Sequence, residues 1–402
     1  MKVLFTIISF CFVLIANTYA QRMGNRYIRL ALSEHCKTLI INKTDNQEIY
    51  AKIFFGDNEN FHDFISKSDS LSLQWSIKNN PDEIALHSDS VILNTAHFKL
   101  NKDNIELHFS IPKLSPNVTQ FLTLKFYNNN NQQGYVMFER ITNTDHITYP
   151  FYVKKNSSPF PLLEQFCNEN DTLSFSTTKN DSILVEYVSQ TDSLALPPMY
   201  LGMNPYILTK NYQIFKIGAN TKWIPAKTGL YVFSYSGDKA KFSIVVHNSK
   251  FPTFTKAREL IKALSYITTN EERATLLGAS NPKEALDEFL INLTGDQNLA
   301  KNIIKSYFKR VTEANQFFTT NKEGWKTDKG MIYIIFGSPD KVYFENGHED
   351  WSYEKNPLYN ELNFYFQHQY TDQGIVYELE RLKDYQKIWI SITEKWRKGL
   401  IK

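Results

Sequence analysis

Two hydrophobic periodicities divide the chain, and the change between them falls near residue 251. Before that point, apolar and polar residues alternate in short segments separated by polar turns, most clearly at residues 71–77. This period of two is typical of half-buried β-strands. After Phe251 and Pro252, apolar residues recur every three to four positions. That spacing indicates amphipathic helices packed on a core.

The first alternating region predicts a domain of β-strands at residues 21–155. Polar breaks at residues 79–82 and 128–133 are typical of turns. Short strands at this spacing favour an antiparallel β-sandwich-like fold. The candidate strands are residues 36–41, 48–55, 71–77, 91–100, 104–111, 118–127 and 134–141.

A second alternating region predicts another antiparallel β-sandwich-like domain at residues 156–250. It follows a Ser- and Pro-rich break at residues 156–161. Its candidate strands are residues 172–177, 182–188, 212–217, 229–235 and 241–247. A long loop at residues 194–206 interrupts them and carries Met199, Tyr200, Met203 and Tyr206. Aromatic residues and Met are enriched at protein interfaces, so this loop is a candidate partner surface.

The remaining residues, 251–402, predict an α+β domain in which helices precede a small antiparallel sheet. One apolar helical face spans residues 254–267, and a longer one spans residues 296–318. Between them, Asn281 and Pro282 form a helix-start signal, and Gly295 forms a helix-stop signal. Residues 331–336 are apolar at every position, which predicts a central strand, followed by strands at 349–353, 361–366 and 374–379. The predicted fold class is therefore multidomain.

Composition narrows the class of protein further. The 402 residues are 42% hydrophobic and 22% charged, which fits folded domains and excludes a mainly disordered chain. Lys and Arg total 45 against 42 for Asp and Glu, so the net charge of +3 predicts no nucleic-acid binding. Aromatic residues reach 14%, a content that suits strands and binding surfaces.

Residues 1–20 have the pattern of a secretory signal peptide. Lys2 precedes an apolar run at residues 3–15, and Thr18-Tyr19-Ala20 is an acceptable cleavage site. The alternative is an uncleaved N-terminal anchor. No later stretch has the length and apolarity of a membrane span, so we expect an exported chain that is periplasmic or associated with an outer membrane. Cys36 and Cys167 either pair there as a disulfide or stay buried as thiols.

The most specific pattern follows the last predicted helix. It consists of Gly324, Trp325, Thr327, Asp328, Gly330, Gly337, Pro339 and Asp340, followed by Trp351 and Tyr353. With these residues the chain resembles the GWxTD-domain family, exported proteins found mainly in Bacteroidetes. The resemblance covers residues 255–400, roughly, and brings no established reaction or cofactor. It implies an exported protein with this domain at its C-terminal end.

The chemistry of the motif residues favours a structural role. Gly324 stands where a long helix should end, a position that often needs positive φ. Trp325 is then a large buried anchor. Thr327 to Gly330 is a tight turn whose Thr and Asp oxygens accept hydrogen bonds from backbone N–H groups. Gly337 to Asp340 is a second turn, in which Pro339 sets φ.

A catalytic or metal-binding role is the alternative interpretation of the acidic residues. Clustered carboxylates bind Ca²⁺ or serve as an acid and base pair. The candidate carboxylates are Asp328, Asp340, Glu345, Glu349 and Asp350. The sequence has no HExxH, GxSxG, Walker A or GxGxxG pattern, and its nine His residues are scattered. We therefore predict no metal, no cofactor and no catalytic residue.

Asp-Ser/Thr-aliphatic triplets recur in the strand-rich half. They resemble the O-glycosylation signal of exported Bacteroidetes proteins, although Asp and Ser also favour ordinary turns. The candidate acceptors are Ser70, Ser90, Thr172, Ser182 and Ser193.

These patterns together predict a non-enzymatic cell-envelope protein that binds or scaffolds a protein partner. One alternative is an envelope hydrolase that uses acidic residues of the GWxTD domain. The other is a carbohydrate-binding protein that uses Trp75 or Trp223 on a sandwich face, whereas single Trp residues of β-sandwiches usually lie in the core.

Overall fold

A computed structural model describes most of the chain from residue 27 onward. The described residues are 27–30, 36–55, 59–66, 70–79, 83–94, 96–114, 118–128, 133–142, 151–156, 158–177, 181–189, 193–202, 212–236, 241–248, 250–345, 348–355, 359–371 and 374–401. The predicted signal peptide lies outside the described residues, as do Met203 and Tyr206 of the candidate partner loop.

The first strand-rich region forms two antiparallel sheets around one core. Strand β1 (Tyr27–Leu30) comes first along the chain but pairs with the C-terminal sheet. The strands of the two sheets are β2 (Cys36–Asn42), β3 (Asn46–Phe54), β4 (Ser72–Lys78), β5 (His87–Ile92), β6 (Phe98–Leu100), β7 (Asn104–Pro112), β8 (Thr119–Tyr127) and β9 (Gln133–Thr142), with helix α1 (Glu59–Ser66) before β4. One sheet has the order β2-β3-β7-β6 and the other β5-β4-β8-β9. Inward-facing residues of both sheets, such as Ile49, Leu73 and Leu107, share this core. We refer to this unit as the first sandwich.

The prediction of one strand at residues 91–100 is wrong. The chain leaves one sheet after Ile92 and enters the other at Phe98. Asn94 makes the turn between them, because its Oδ1 accepts a hydrogen bond from Ala96 N at 3.0 Å and its carbonyl accepts one from His97 N. Asn favours such local side-chain bonds, and this signal outweighs the apolar residues on either side.

The second strand-rich region again forms two sheets. Its strands are β10 (Phe151–Lys155), β11 (Phe166–Asn168), β12 (Leu173–Thr177), β13 (Ile183–Val188), β14 (Tyr212–Ile217), β15 (Lys222–Trp223), β16 (Gly229–Ser234) and β17 (Phe242–His247). The sheet orders are β10-β12-β15 and β11-β17-β16-β13-β14. Every pair is antiparallel except β11 with β17, which is parallel. We refer to this unit as the second sandwich.

The larger sheet of the second sandwich is buried on both faces at its strand β16. Val185, Phe233 and Val246 contribute to the core between the two sheets. Leu230 and Val232 point the other way and join the core of the C-terminal region. Strand β16 is consequently buried at all of its positions. This explains its continuous apolar sequence, because a strand buried on both faces shows no alternation.

Cys36 and Cys167 lie in different cores and are not bonded to each other. Cys36 belongs to the core of the first sandwich, and Cys167 to that of the second. Burial raises the pKa of the Cys167 thiol to about 12. The disulfide alternative therefore does not hold for this pair.

Helices follow the second sandwich. They are α2 (Ala257–Ala263), α3 (Asn270–Gly278), α4 (Pro282–Thr294), α5 (Gln297–Asn302), α6 (Phe308–Phe318), α7 (Asp328–Phe336) and, at the C-terminal end, α8 (Tyr385–Arg397). Asn281 caps α4 through its side chain, and Gly295 ends α4 with φ of 70°. A π-helical turn at Ile303–Tyr307 joins α5 to α6, so the predicted long helix continues through it.

The prediction of a central strand at residues 331–336 is wrong, because these residues belong to helix α7. Asp328 to Ile335 are all buried, so the helix is apolar on every side except at its first turn. Periodicity alone does not distinguish a fully buried helix from a fully buried strand. The Thr327 side chain accepts a hydrogen bond from Gly330 N, and this N-cap selects the helix.

A small antiparallel sheet completes the C-terminal region. Its strands are β18 (Lys341–Glu345), β19 (His348–Tyr353), β20 (Leu362–Thr371) and β21 (Gly374–Leu379), in the order β1-β18-β19-β20-β21. Buried Trp351, Phe364 and Phe366 face helices α7 and α8 in the shared core. The described chain is thus multidomain, with antiparallel sheets first and an α+β region last, as the sequence predicts. None of the helices among the described residues combines the length and the apolar sequence that a membrane span requires.

Candidate functional site

The GWxTD residues lie at the centre of the C-terminal core, between α6, α7 and the second sandwich. Gly324–Lys326 form a single 3₁₀ turn that leads into α7. A side chain at Gly324 would place its Cβ 1.8 Å from the carbonyl oxygen of Ala314 on α6. Close approach of two backbones therefore explains this glycine. The expected positive φ does not occur here and is found instead at Gly337.

Asn315 on α6 holds the 3₁₀ turn in place. Its side chain is fully buried. Oδ1 accepts a hydrogen bond from Trp325 N at 3.1 Å, and Nδ2 donates to the carbonyl of Pro252 at 3.0 Å. One amide side chain thus connects the motif to the segment that leaves the second sandwich, and it satisfies polar groups that would otherwise be unpaired in a dry core.

Trp325 fills the space between the second sandwich and the helices. It is 3% exposed, and its ring meets Phe254 and Tyr266 edge to face. The Tyr266 hydroxyl donates to the Trp325 carbonyl at 2.8 Å. Burial of an aromatic side chain of this size contributes about 3–5 kcal/mol relative to Ala.

Thr327 and Gly330 form the N-terminal cap of α7. The Thr327 hydroxyl donates to the Gly324 carbonyl at 2.7 Å and accepts from Gly330 N at 3.0 Å. A Cβ at Gly330 would lie 1.8 Å from the same Gly324 carbonyl. The 3₁₀ turn packs directly on the first turn of the helix. This close packing requires glycine at positions 324 and 330, and the Thr327 hydroxyl bonds the backbone of both.

Asp328 is buried, and both of its carboxylate oxygens are engaged. Oδ1 accepts from Arg381 Nη2 at 2.6 Å, and Oδ2 accepts from Leu379 N at 2.8 Å. Arg381 also donates to the Leu379 carbonyl at 3.2 Å. The carboxylate thus joins the start of α7 to the end of β21. It is a buried ion pair with well-placed partners, the arrangement in which a buried charge is tolerated.

Lys329 points into the sheet and forms a second buried ion pair. Its Nζ lies 2.6 Å from Glu349 Oε2 and 3.5 Å from the centre of the Tyr377 ring. Glu349 Oε1 accepts from Trp351 Nε1 at 2.7 Å. Glu349 is therefore the partner of a lysine and an indole inside the core, and its environment differs from that of a solvated metal ligand.

A third polar contact joins the start of the motif to the last strand of the second sandwich. Glu323 Oε1 lies 3.3 Å from His247 Nε2, and Glu323 Oε2 lies 2.5 Å from Lys326 Nζ. Burial alone would raise the pKa of the Glu323 carboxyl, but the hydrogen bond with His247 and the charge of Lys326 outweigh it and lower that pKa. The carboxylate form is therefore the stable form at this contact.

A segment of the second sandwich lies across the motif, and we call residues 193–198 the strap. The strap is held through its backbone at four places. The contacts are Lys322 Nζ to Ser193 O at 3.3 Å, Ala195 N to Lys326 O at 3.0 Å, Arg381 Nη2 to Leu196 O at 3.3 Å, and Leu382 N to Pro198 O at 3.0 Å. All four contacts are made to backbone atoms of the strap, so they do not depend on the identity of its side chains.

The second predicted turn follows α7. Gly337 has φ of 89°, and its carbonyl accepts from the Tyr353 hydroxyl at 2.9 Å. Pro339 is buried, whereas Asp340 is exposed and its Oδ2 accepts from Glu354 N at 2.6 Å. Asp340 therefore stabilises a backbone turn.

The structure does not bring the predicted acidic residues together as one site. Asp328 begins α7, whereas Asp340 follows its C-terminal end, and a helix of nine residues, about 12 Å long, separates them. Asp350 is half-buried on β19, and the side chain of Glu345 lies outside the described residues. Among the residues described, no group of three His, Cys, Asp or Glu side chains has the geometry of a metal site. A cleft of 220 Å³ between α2 and α6 is lined by apolar residues, threonines and Lys309, none of which belongs to the motif.

The candidate partner loop is divided between core and surface. Leu194 and Met199 pack against the C-terminal core. Tyr200 and Leu201 are 54% and 59% exposed, and Leu382 beside them is 37% exposed. The loop therefore leaves a small apolar surface at its described end.

The Trp candidates for carbohydrate binding face inward. Trp75 is 5% exposed and stacks on Phe109 in the core of the first sandwich. Trp223 is half-buried and packs against Phe215, Tyr231 and Phe233. The Trp75 indole is therefore closed to a sugar ring, and the Trp223 indole is engaged by three aromatic neighbours.

The candidate glycosylation residues differ in exposure. Ser70, Ser90 and Ser182 are exposed, whereas Thr172 and Ser193 are half-buried. At Thr172 the turn interpretation has direct support, since the preceding Asp171 accepts hydrogen bonds from Asn156 and from Asn168 N.

Sequence reasoning missed the partners of the motif. Arg381 and His247 lie far from residues 324–330 in sequence. Asn315 lies on α6, whose apolar stripe has the pattern of any core-facing helix. A buried Asn on an apolar stripe was the one available signal, because an amide in a core needs partners.

Comparison with known families identifies the C-terminal region. A family model described as the GWxTD domain matches residues 229–398. A search of curated proteins gives no match. The matched region begins at β16, within the second sandwich, and so includes β16 and β17, whose Leu230, Val232 and Val245 join the core that contains Trp325.

Proposed function

We propose, from the premise that residues 229–398 form a GWxTD domain, that this protein is a non-enzymatic scaffold or binding protein of the cell envelope. The observation that carries the proposal is the engagement of the polar side chains at residues 327–329. Thr327 caps a helix, Asp328 pairs with Arg381, and Lys329 pairs with Glu349. A catalytic carboxylate needs a face open to substrate, and these side chains are buried against other parts of the chain.

The motif serves in this proposal as a clamp between the second sandwich and the C-terminal region. The strap is bound through its backbone, and Glu323 binds His247 at the end of β17. The two units therefore present their surfaces to a partner in a fixed relation. Preorganisation of this kind lowers the entropy cost of binding.

The partner surface in this proposal is the exposed end of the strap. Tyr200 and Leu201 form an apolar patch beside Leu382, and the clamp below them holds that patch still. Rigid aromatic and aliphatic side chains are the usual anchors of protein interfaces. The proposal therefore assigns a protein partner, with no nucleic acid and no cofactor.

The location of the protein belongs to the same proposal. The signal-peptide pattern at residues 1–20 supports export, and a periplasmic or outer-membrane-associated position follows from it. Glycosylation at the exposed Ser70, Ser90 or Ser182 is compatible with that route. The intact mass of the native protein tests both points, because an unmodified chain beginning at Met1 contradicts them.

The experiment that tests the binding role is capture from native envelopes with the whole mature chain. A Tyr200→Ser, Leu201→Ser variant is compared with Ile304→Ser, which changes an exposed residue on the helical side. We expect a defined set of partners to be lost only with the strap-end variant. Equal recovery with both variants would place the partner surface elsewhere, and no specific recovery with any chain would contradict the binding role.

A further inference from the structure

A row of charged residues crosses the outer face of the sheet β2-β3-β7-β6. Lys37 lies opposite Lys52, and Glu106 lies opposite both Lys52 and Lys99. Residues directly opposite one another on neighbouring strands share a face, so these four side chains form one row, which we call the lysine row. Like charges placed directly opposite destabilise a sheet, and the Lys37–Lys52 pair is such a case.

A carboxylate from the second sandwich lies against the lysine row. Glu164 Oε1 is 2.5 Å from Lys52 Nζ. Glu106 contacts Lys52 at 3.5 Å and Lys99 at 3.4 Å. Three ammonium groups thus face two carboxylates, which leaves one positive charge in excess. In the part of the chain that the structure describes, no carboxylate lies within ion-pair distance of Lys37.

The same strand face carries two aromatic contacts between the first sandwich and the rest of the chain. Tyr50, Lys52 and Phe54 are alternate residues of β3 and point outward together. The Tyr50 ring meets Phe160 edge to face at 6.5 Å, and the Phe54 ring lies 5.6 Å from Phe317 of α6. One strand face therefore makes an aromatic contact, an ionic contact and a second aromatic contact in succession.

We propose that this contact is a reversible joint and that the lysine row sets how tightly it closes. The aromatic contacts favour closure, since they bury apolar area. The lysine row opposes it, because closure removes an unbalanced positive charge from water. Contacts between domains of one chain often resemble transient interfaces, and an interface with opposed contributions of this kind opens readily.

The titration of Lys37 determines whether the joint closes or opens as the pH rises. Burial lowers the pKa of the Lys37 ammonium from 10.5 to about 8 in the closed form, despite attraction from Glu164. In the open form the ammonium faces water and keeps its ordinary pKa. The closed form therefore binds fewer protons between pH 8 and 10.5. Closure strengthens as pH rises through that window, by at most about tenfold per pH unit, and is constant below it.

Other ionisable groups face the joint and keep their charge across that range. Lys52 has a raised pKa, and Glu164 a lowered one, because each stabilises the charged form of the other more than burial opposes it. Tyr50, which Tyr152 faces, is kept protonated, because burial raises its pKa above the window. Lys37 is thus the group whose removal should abolish the response.

Small-angle X-ray scattering of the whole mature chain measures the joint. We expect the radius of gyration to fall between pH 7.5 and 9.5 in the wild type. Lys37→Met should be compact at both values, and Glu164→Gln should be expanded at both, because it removes the carboxylate that faces Lys52. Lys102→Met is the matched control, since Lys102 is exposed in the turn before β7, and it should follow the wild type.

Amine labelling of Lys52, read by mass spectrometry, gives a second measurement. Glu164→Gln should raise the labelling rate at least tenfold over wild type, with an unchanged cooperative melting transition as proof of folding. Equal radii and equal labelling rates in wild type and Glu164→Gln would show a permanently closed contact and overturn the proposal. A pH response that persists in Lys37→Met would overturn the role of the lysine row.

Discussion

Replacement of Asp328 by Asn tests whether the Asp328 carboxylate has a structural or a functional role. Asn keeps the size of the side chain, and its oxygen still accepts from Leu379 N. It loses the charge that faces Arg381, whose Nη2 lies 2.6 Å from Asp328 Oδ1. The arginine then keeps only the carbonyls of Leu379 and Leu196, at 3.2 and 3.3 Å.

The size of the effect follows from burial. Asp328 and Arg381 side chains are 6% and 13% exposed, so the pair is largely shielded from water. Removal of one partner of a buried pair costs about 3–5 kcal/mol. We expect about 3 kcal/mol, the low end of the range for such pairs, since two carbonyls still solvate the guanidinium. For a domain of 150–250 residues that is a fall in Tm of about 6–12 °C.

Differential scanning calorimetry at pH 7 measures this change. Asp287→Asn is the control, because Asp287 is exposed on α4, and it should stay within about 0.5 kcal/mol of wild type. Addition of Arg381→Met to Asp328→Asn removes the unpaired charge and should recover at least half of the loss. Wild-type stability of Asp328→Asn together with lost partner capture would refute the reasoning, since it would make Asp328 a functional group.

Other changes test single contacts. Gly330→Ala should cost about 2–3 kcal/mol, because its Cβ would meet the Gly324 carbonyl, whereas Gly278→Ala meets nothing within 4 Å and should be neutral or slightly stabilising. Urea unfolding compares the two. Burial lowers the pKa of Lys322 to about 8, so this group makes stability rise with pH from there to 10.5, and Lys322→Met should flatten that part of a pH series. Cys167, whose pKa burial raises, should resist alkylation at pH 8 until urea unfolds the chain.

Strand periodicity predicts most of the fold because the sandwiches bury one face of most strands. The prediction is wrong where a segment is buried on all sides, as at residues 331–336, since apolar residues at every position carry no period. It is also wrong at residues 91–100, where one Asn turn outweighs the surrounding apolar residues. In both places a local side-chain hydrogen bond, from the Thr327 cap or the Asn94 turn, decides the structure, and hydrophobic periodicity carries no information about it.

The motif residues could be found from sequence, but their partners could not. Gly324, Thr327 and Gly330 contact one another within seven residues, so the pattern is visible along the chain. Arg381 lies 53 residues from Asp328, and the strap begins 129 residues before Lys322. Such contacts depend on how the units pack against each other, so they cannot be predicted from the spacing of residues along the sequence.

The central claim is that the GWxTD motif clamps the strap to the C-terminal domain. Hydrogen exchange of the Ala195 and Leu382 amides measures this clamp, because they donate to Lys326 O and Pro198 O across the contact. We expect strong protection of both amides in the wild type and a loss of at least about 100-fold in Asp328→Asn, which corresponds to the predicted 3 kcal/mol. Unprotected amides in the wild type, or equal protection in both chains, would contradict the account.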